Sequence, residues 1–218
     1  CAKSLVSYGL IDFADLSLSS PTDRAHICAC IESVIARHEP RLKDVKASLE
    51  LRANSRDRRD AAIRACMRRF GVDEARALRT AAIAGRLYDR LAGSDEGLRR
   101  HLLWSCMLHE VGQAVSHTGA HKHGAYIVEH ADLPGFTTRE QRRMAALVLG
   151  HKGNLRKVRE ALAEPAFARM ALAMRLAVAC MHARVDEELD AMSLAMGNRI
   201  EVALAGGWLE RHPTLRAW

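Results

Sequence analysis

Apolar residues follow helical spacing along most of the chain. In the first block, Ser20 can cap a helix, Pro21 suits its first turn, and apolar residues recur at helical spacing until Pro40 ends the pattern. Apolar and polar residues then alternate from Val45 to Leu51, which predicts a strand. The polar, charged stretch Asn54–Asp60 follows, and we interpret it as the boundary of this block.

The second block has the pattern of a helical bundle. Glycines end its first two helices, the second of which we expect to turn Leu78, Ala82 and Leu87 inward. Leu133–Phe136 has the composition of a turn, and the Thr and Glu that follow it can form a capping box. A long apolar helix is predicted from Pro165 to about Ala183.

The end of the chain changes period. Apolar residues alternate from Met192 to Met196 and again from Ile200 to Leu204, with Gly197-Asn198 between them, which predicts a β-hairpin. The predicted fold is therefore mainly α: a helical bundle with a small C-terminal β-hairpin unit, preceded by a short α+β segment. The predicted units are residues 1–53, 54–185 and 186–218.

Charge and cysteine usage narrow the possible partners. Basic and acidic residues balance within residues 1–53, so the whole net charge of +7 falls in the remainder. A basic domain favours an anionic partner such as phosphate, polyphosphate or nucleic acid, although a merely solvated basic surface has the same composition. The six cysteines lack zinc spacing and indicate free thiols in a cytoplasmic protein. No apolar run approaches the roughly 20 residues of a membrane span, so we expect no membrane partner.

Histidines concentrate in one part of the second block. Six of the eleven lie between His109 and His151. The pair His109-Glu110 is a weak candidate for a divalent metal site, because imidazole and carboxylate suit transition metals. Imidazolium and ammonium together suit phosphate oxygens. A core histidine bonded to a backbone carbonyl is the alternative for His109. The candidate anion-binding residues are His117, His121, Lys122, His123, His151 and Lys152.

Several motifs in order resemble one known family. These are His109-Glu110, His121-Lys122-His123 and Leu133-Pro134-Gly135-Phe136, with flanking helices and a closing β unit over about residues 56–218. They resemble the C-terminal domain of the exopolyphosphatase and guanosine pentaphosphate phosphohydrolase (Ppx/GppA) family. That domain is a degenerate relative of HD phosphohydrolases, so the resemblance implies an HD-like helical bundle.

The sequence departs from a working HD metal site. Such a site uses a lead-in His, a His-Asp pair and a distal Asp. Here His109-Glu110 replaces the pair, Arg76 stands near the lead-in position, and the stretch from Arg175 to Ala179 has no carboxylate. We therefore predict no complete metal site, although a metal-dependent phosphohydrolase centred on His109 and Glu110 stays open as an alternative.

In the family, catalysis belongs to an N-terminal actin-like domain with Gly-rich phosphate loops, and no such loop occurs in these 218 residues. The resemblance thus implies a non-catalytic portion of an exopolyphosphatase-type hydrolase. It would bind polyphosphate or another polyanion and form a homodimer.

The first block resembles a different family. Tyr8-Gly9-Leu10, Asp12 and the run Glu39-Pro40-Arg41-Leu42 are similar to the start of the lysozyme-like baseplate wedge proteins of contractile tails, including the TssE subunit of type VI secretion. The resemblance implies that Glu39, Pro40 and Arg41 contact neighbouring wedge subunits. A local surface ion pair beside a helix end is the simpler interpretation of Glu39 and Arg41. A baseplate wedge component is accordingly the other alternative function.

Overall fold

The protein is mainly α, as predicted. The computed structural model describes residues 16–17, 20–49, 55–91, 95–185, 189–197 and 199–213. Within these residues, helices make up most of the chain and one two-stranded sheet stands near its end. The elements are α1 (Pro21–His38), α2 (Ser55–Arg69), α3 (Glu74–Arg90), α4 (Glu96–Leu108), α5 (Ala120–His130), α6 (Thr138–Gly150), α7 (Arg159–Leu162), α8 (Pro165–Ala183), β1 (Met192–Met196), β2 (Ile200–Leu204) and α9 (Trp208–Arg211).

The first block contains the predicted helix but not the predicted strand. Ser20 caps α1 by accepting a hydrogen bond from the Asp23 backbone N–H, and the helix ends just before Pro40. Residues 45–49 are irregular, and residues 50 and 51 of the predicted strand lie outside the described residues. Ala47 donates its backbone N–H to the Glu32 carboxylate at 2.8 Å. The Glu32 side chain of α1 therefore accepts the backbone N–H of Ala47, which the predicted strand would have donated to a neighbouring strand.

The polar stretch at residues 54–60 is helical from Ser55, where α2 begins, and the unit boundary placed there stays a prediction. Charged side chains of this stretch bind the helical bundle. Arg59 pairs with Glu140 at 3.2 Å, and Trp104 Nε1 donates to Asp60 at 2.7 Å. Burial alone would raise the pKa of Glu140, but hydrogen bonds from His101 and Thr137 and the charge of Arg59 lower that pKa to about 2. The start of α2 is thus part of the bundle.

The turn at Leu133–Phe136 is fixed by the same group of residues. The Phe136 N–H donates to the Leu133 carbonyl, and Arg59 donates to the Gly135 carbonyl at 2.7 Å. Thr137 and Glu140 form the predicted capping box at the start of α6. The turn therefore leads directly into α6, and the capping box satisfies backbone N–H groups at the start of that helix.

Helix α8 lies at the centre of the bundle and packs against α3, α4 and α6. Its 19 residues have a mean hydropathy of 1.3 over the best window, so by length and composition alone it could cross a membrane. The expectation that no apolar run approaches that length is therefore wrong for α8. Half of the window is buried inside the protein, and core helices of soluble bundles pass the same test.

The face of α3 that packs on α8 differs from the predicted one. Leu87 is buried as expected, but Leu78 is 42% exposed and Ala82 is exposed as well. Small residues form most of the buried face instead, which lets two helix backbones approach closely. Its buried residues are Ala77, Thr80, Ala81, Ile83, Ala84, Gly85, Leu87 and Tyr88.

The connection between α4 and α5 is a short 3-10 turn, Val111–Ala114, that lies against α5. A β-carbon built on Gly112 would lie 2.0 Å from the Ala120 carbonyl oxygen and 2.4 Å from the Gly124 nitrogen. Only glycine fits at this contact. The turn and the first residues of α5 are therefore fixed relative to each other.

The C-terminal hairpin has the predicted strands, which pair antiparallel. Met192 pairs with Leu204, Leu194 with Val202, and Met196 with Ile200. Arg90 of α3 donates to the Met192 carbonyl at 2.8 Å and ties β1 to the bundle. Met192 and Leu194 are buried, whereas Ile200 and Val202 on β2 are 53% and 44% exposed. Strand β2 thus presents apolar side chains at its surface.

Candidate functional site

Two buried histidines end neighbouring helices of the bundle. His109 follows α4 and His151 follows α6, and each Nδ1 lies 2.6 Å from a backbone carbonyl of its own helix, that of Cys106 or of Val148. Because a carbonyl only accepts, Nδ1 carries the proton in both rings. The rings meet edge to face with their centroids 5.3 Å apart. His109 is therefore a buried histidine bonded to a backbone carbonyl through Nδ1, as the alternative interpretation of this residue expected.

Burial keeps both rings neutral. It lowers the pKa of His151 to about 3, with a further contribution from His109, and it also lowers the pKa of His109. The Nε2 atoms are therefore unprotonated near neutral pH. His109 Nε2 is buried with no hydrogen-bond partner among the described residues. Two uncharged, buried rings thus lie next to each other, and the ring of His121 lies beside that of His151.

The residues at the expected HD position do not fit a metal ion. Arg76 holds the buried carboxylate of Glu110 through Nε at 3.0 Å and Nη2 at 2.8 Å. The guanidinium thereby neutralises the charge that a cation would have to attract. Glu110 is also 3.9 Å from His109 Nε2. Within the described residues, no group of three or more His, Cys, Asp or Glu side chains could hold a metal ion.

The second departure from the HD pattern also has a structural role. Arg175 of α8 donates from Nη1 to the Gly150 carbonyl at 2.8 Å and to the Gly153 carbonyl at 3.1 Å. Gly153 has a φ of +76°, so the chain turns sharply there. Arg175 therefore fixes the loop that carries His151 and Lys152.

Four basic residues meet at the surface above the buried histidines. His121 is the second residue of α5. Its ring centroid lies 6.4 Å from that of His151, and its Nε2 lies 3.1 Å from Lys157 Nζ. Partial burial lowers the pKa of His121, and so do the charges of Lys157, Lys122 and Lys152. We call His121, Lys122, Lys152 and Lys157 the cationic cluster.

Three of these four residues were predicted from the sequence, but Lys157 was not. It lies in the 3-10 turn Leu155–Val158, which Asn154 starts by accepting a hydrogen bond from the Arg156 N–H. That turn carries Lys157 back to α5, 36 residues earlier in the chain. The Asn154 cap is visible in the sequence, but the direction of the turn that follows it is not.

The remaining candidates lie at different distances from the cluster. His123 is half-buried on α5 and contributes to lowering the pKa of His121. His117 is exposed before α5 and shares no hydrogen bond or ring contact with the cluster in the described part of the chain. Glu39, Pro40 and Arg41 are exposed in the turn after α1. Their roles in binding stay predictions.

The fold and these side chains define a mainly α protein, and no group of metal-ligating side chains lies together in the described part of the chain. Comparison with known families agrees with both resemblances. Residues 58–217 match the family model described as Ppx/GppA phosphatase, domain III. This match covers well over half of the 218 residues, so the chain belongs to that family. Residues 1–69 match the model described as baseplate wedge protein gp25.

Both matches include residues 58–69, which lie in α2. In the structure this helix belongs to the bundle. Ile63 and Met67 of α2 lie in the same hydrophobic core as α8. The α1 block, which is the rest of the gp25 match, contributes no described residue to this core.

Proposed function

We propose that the cationic cluster is a non-catalytic binding site for polyphosphate or a similar polyanion. The observation that carries the proposal is the convergence of His121, Lys122, Lys152 and Lys157 on one exposed surface. Ammonium and imidazolium groups donate hydrogen bonds to phosphate oxygens, and several together attract a chain of phosphates. The bundle would serve as the anion-binding portion of an exopolyphosphatase-type hydrolase.

Features around the cluster support this assignment. The nearby carboxylate of Glu110 is 5% exposed and paired with Arg76, so its charge is compensated. Arg175 engages the carbonyl oxygens of Gly150 and Gly153, which would otherwise be available to repel an anion.

The affinity for polyphosphate should fall steeply with salt. Binding through about three phosphate contacts releases counterions, so raising the salt from 50 to 200 mM should weaken binding by roughly tenfold to a hundredfold. Fluorescence anisotropy with labelled polyphosphate measures this directly. Replacing His121, Lys122 and His123 together with Ala should weaken binding at least tenfold and flatten the salt dependence, because the variant loses contacts.

A matched control removes the same residue types elsewhere. Replacing His26, His38 and Lys43 with Ala takes two histidines and one lysine from the α1 block and should leave the affinity unchanged. Binding that is independent of salt, or that survives the His121/Lys122/His123 change, would contradict the proposal.

The oligomeric state of the protein, measured in parallel by light scattering, should be a homodimer. The exposed Ile200 and Val202 of the edge strand β2 support such an association.

The metal-dependent hydrolase is not favoured by the site. Arg76 already occupies the Glu110 carboxylate, and the stretch from Arg175 to Ala179, near which a distal Asp is expected, has no carboxylate.

A baseplate role is the second candidate, and it rests on the match of residues 1–69. Glu39, Pro40 and Arg41 are exposed after α1, and Leu42 beside them is 57% exposed. Such a turn is accessible to a neighbouring subunit. This role predicts co-purification with wedge proteins, lost in Arg41→Glu and retained in the exposed control Lys46→Glu. Equal recovery with both variants would argue against an interface at this turn.

A further inference from the structure

The contact between His121 and Lys157 constrains the protonation of the imidazole. Lys157 Nζ lies 3.1 Å from His121 Nε2. An ammonium group donates hydrogen bonds and accepts none, so the imidazole must accept through an unprotonated Nε2. The observed pair therefore contains one positive charge, on Lys157, and a neutral His121.

The surroundings of His121 oppose a second charge. On its own helix lie Lys122 and His123, after α6 lie His151 and Lys152, and the following 3-10 turn supplies Lys157. The first cause that lowers the pKa of His121 is partial burial, and the lysine charges follow it. An anion held by the lysines would offset those charges and favour the protonated ring.

We propose that His121 takes up one proton from solvent when a polyphosphate chain binds the cationic cluster. On binding, the hydrogen bond from Lys157 to His121 Nε2 breaks, and Lys157 donates to a phosphate oxygen instead. The freed Nε2 accepts the proton and donates to a second oxygen. The inference rests on the polyanion-binding function proposed above and adds that binding is linked to protons.

The sign of the linkage follows from the two states. If the bound protein holds one more proton than the free protein, the affinity rises as the pH falls, by up to tenfold per pH unit. The gain extends between the pKa of His121 in the complex and its lower pKa in the free protein. A neutral amide at position 121 can accept from Lys157 but cannot take up the proton, so it removes this dependence.

The experiment compares wild type, His121→Gln and His130→Gln by titration calorimetry with long-chain polyphosphate. Affinities are measured at constant ionic strength from pH 6 to 8.5, in two buffers of different ionisation enthalpy at each pH. We expect wild type and His130→Gln to show proton uptake and an affinity that falls with rising pH, several-fold more steeply than in His121→Gln. Protonation of the polyphosphate itself affects all three proteins equally, so it cancels when their pH dependences are compared.

The histidine NMR signals of the wild-type protein give a second measurement that needs no variant at position 121. The midpoint of His121 should rise on adding polyphosphate, and in the free protein it should rise in Lys157→Gln. An unchanged NMR titration midpoint for His121, or equal pH slopes of the affinity in wild type and His121→Gln, would overturn the proton linkage. Salt-dependent binding measured in the same proteins would still support the polyanion site. Absence of polyphosphate binding at every pH would overturn both proposals.

Discussion

At the scale of single residues, Arg76 has a structural role in the bundle. It supplies the positive charge that holds Glu110, whose side chain is 5% exposed. Both contacts go to the same carboxylate oxygen, from Nε and Nη2. Because removing a charge from water is costly, a buried carboxylate of this kind is stable only with a partner.

Replacing Arg76 with Met should destabilise the protein by about 2 kcal/mol, since Glu110 would remain buried without its partner. The double variant Arg76→Met with Glu110→Gln should recover much of the loss. Urea unfolding at pH 7 measures both changes. The control Arg64→Met breaks an ion pair with Glu74 in which both side chains are 54% exposed, and it should cost well under about 1 kcal/mol. Similar losses in the two single variants would contradict the role assigned to Arg76.

Residue types alone predicted which HD ligands would be missing, but not which contacts the replacing residues make. Arg76 and the absence of a carboxylate between residues 175 and 179 predicted an incomplete metal site. The bonds that these arginines make could not be predicted, because they depend on helices far apart in the chain. Lys157 was missed for the same reason: its contact with His121 spans 36 residues and depends on one turn.

At the scale of elements, local signals placed the helix ends well. Ser20 and Thr137 each cap a helix through the side chain, as predicted, and Asp73 caps α3 in the same way. The alternation in β1 and β2 likewise gave the correct hairpin. These signals succeed because each cap or strand pair is satisfied by residues a few positions away.

Elements whose conformation depends on tertiary contacts were predicted less well. Residues 45–49 alternate like a strand, but no strand forms there, and Glu32 takes the Ala47 donor. Residues 55–60 have the composition of a linker, but they are helical because Arg59 and Asp60 find partners on α6 and α4. A charged segment with buried partners cannot be distinguished from a solvated one by composition.

At the scale of the whole molecule, the hydrophobic core belongs to the bundle and the hairpin. Among the described residues, its buried members begin at Ile63 and end at Trp208, and none comes from α1. Ile27 is the buried residue of α1 and lies outside that cluster. The two matched families thus correspond to parts of unequal size, and the core-forming part includes the whole of α2.

Removing residues 1–54 should therefore leave a folded bundle with nearly the thermal midpoint of the full chain. Removing residues 1–61 should lower the midpoint by roughly 6–12 °C, because Glu140 and Trp104 lose their partners Arg59 and Asp60. Calorimetry or circular dichroism melting compares the two deletions. The full-length double variant Arg59→Met with Asp60→Asn should reproduce the larger drop, and an unfolded 55–218 chain would contradict this division of the molecule.

The close contact at Gly112 sets a limit on how the protein can diverge. Any other amino acid brings a β-carbon to 2.0 Å from the Ala120 carbonyl, so the 3-10 turn and α5 would have to separate. His121 follows Ala120 directly, and its 3.1 Å contact with Lys157 would change with it. A lineage could therefore lose this surface through one uncharged substitution. Selection for binding would then act on position 112 as strictly as on the lysines.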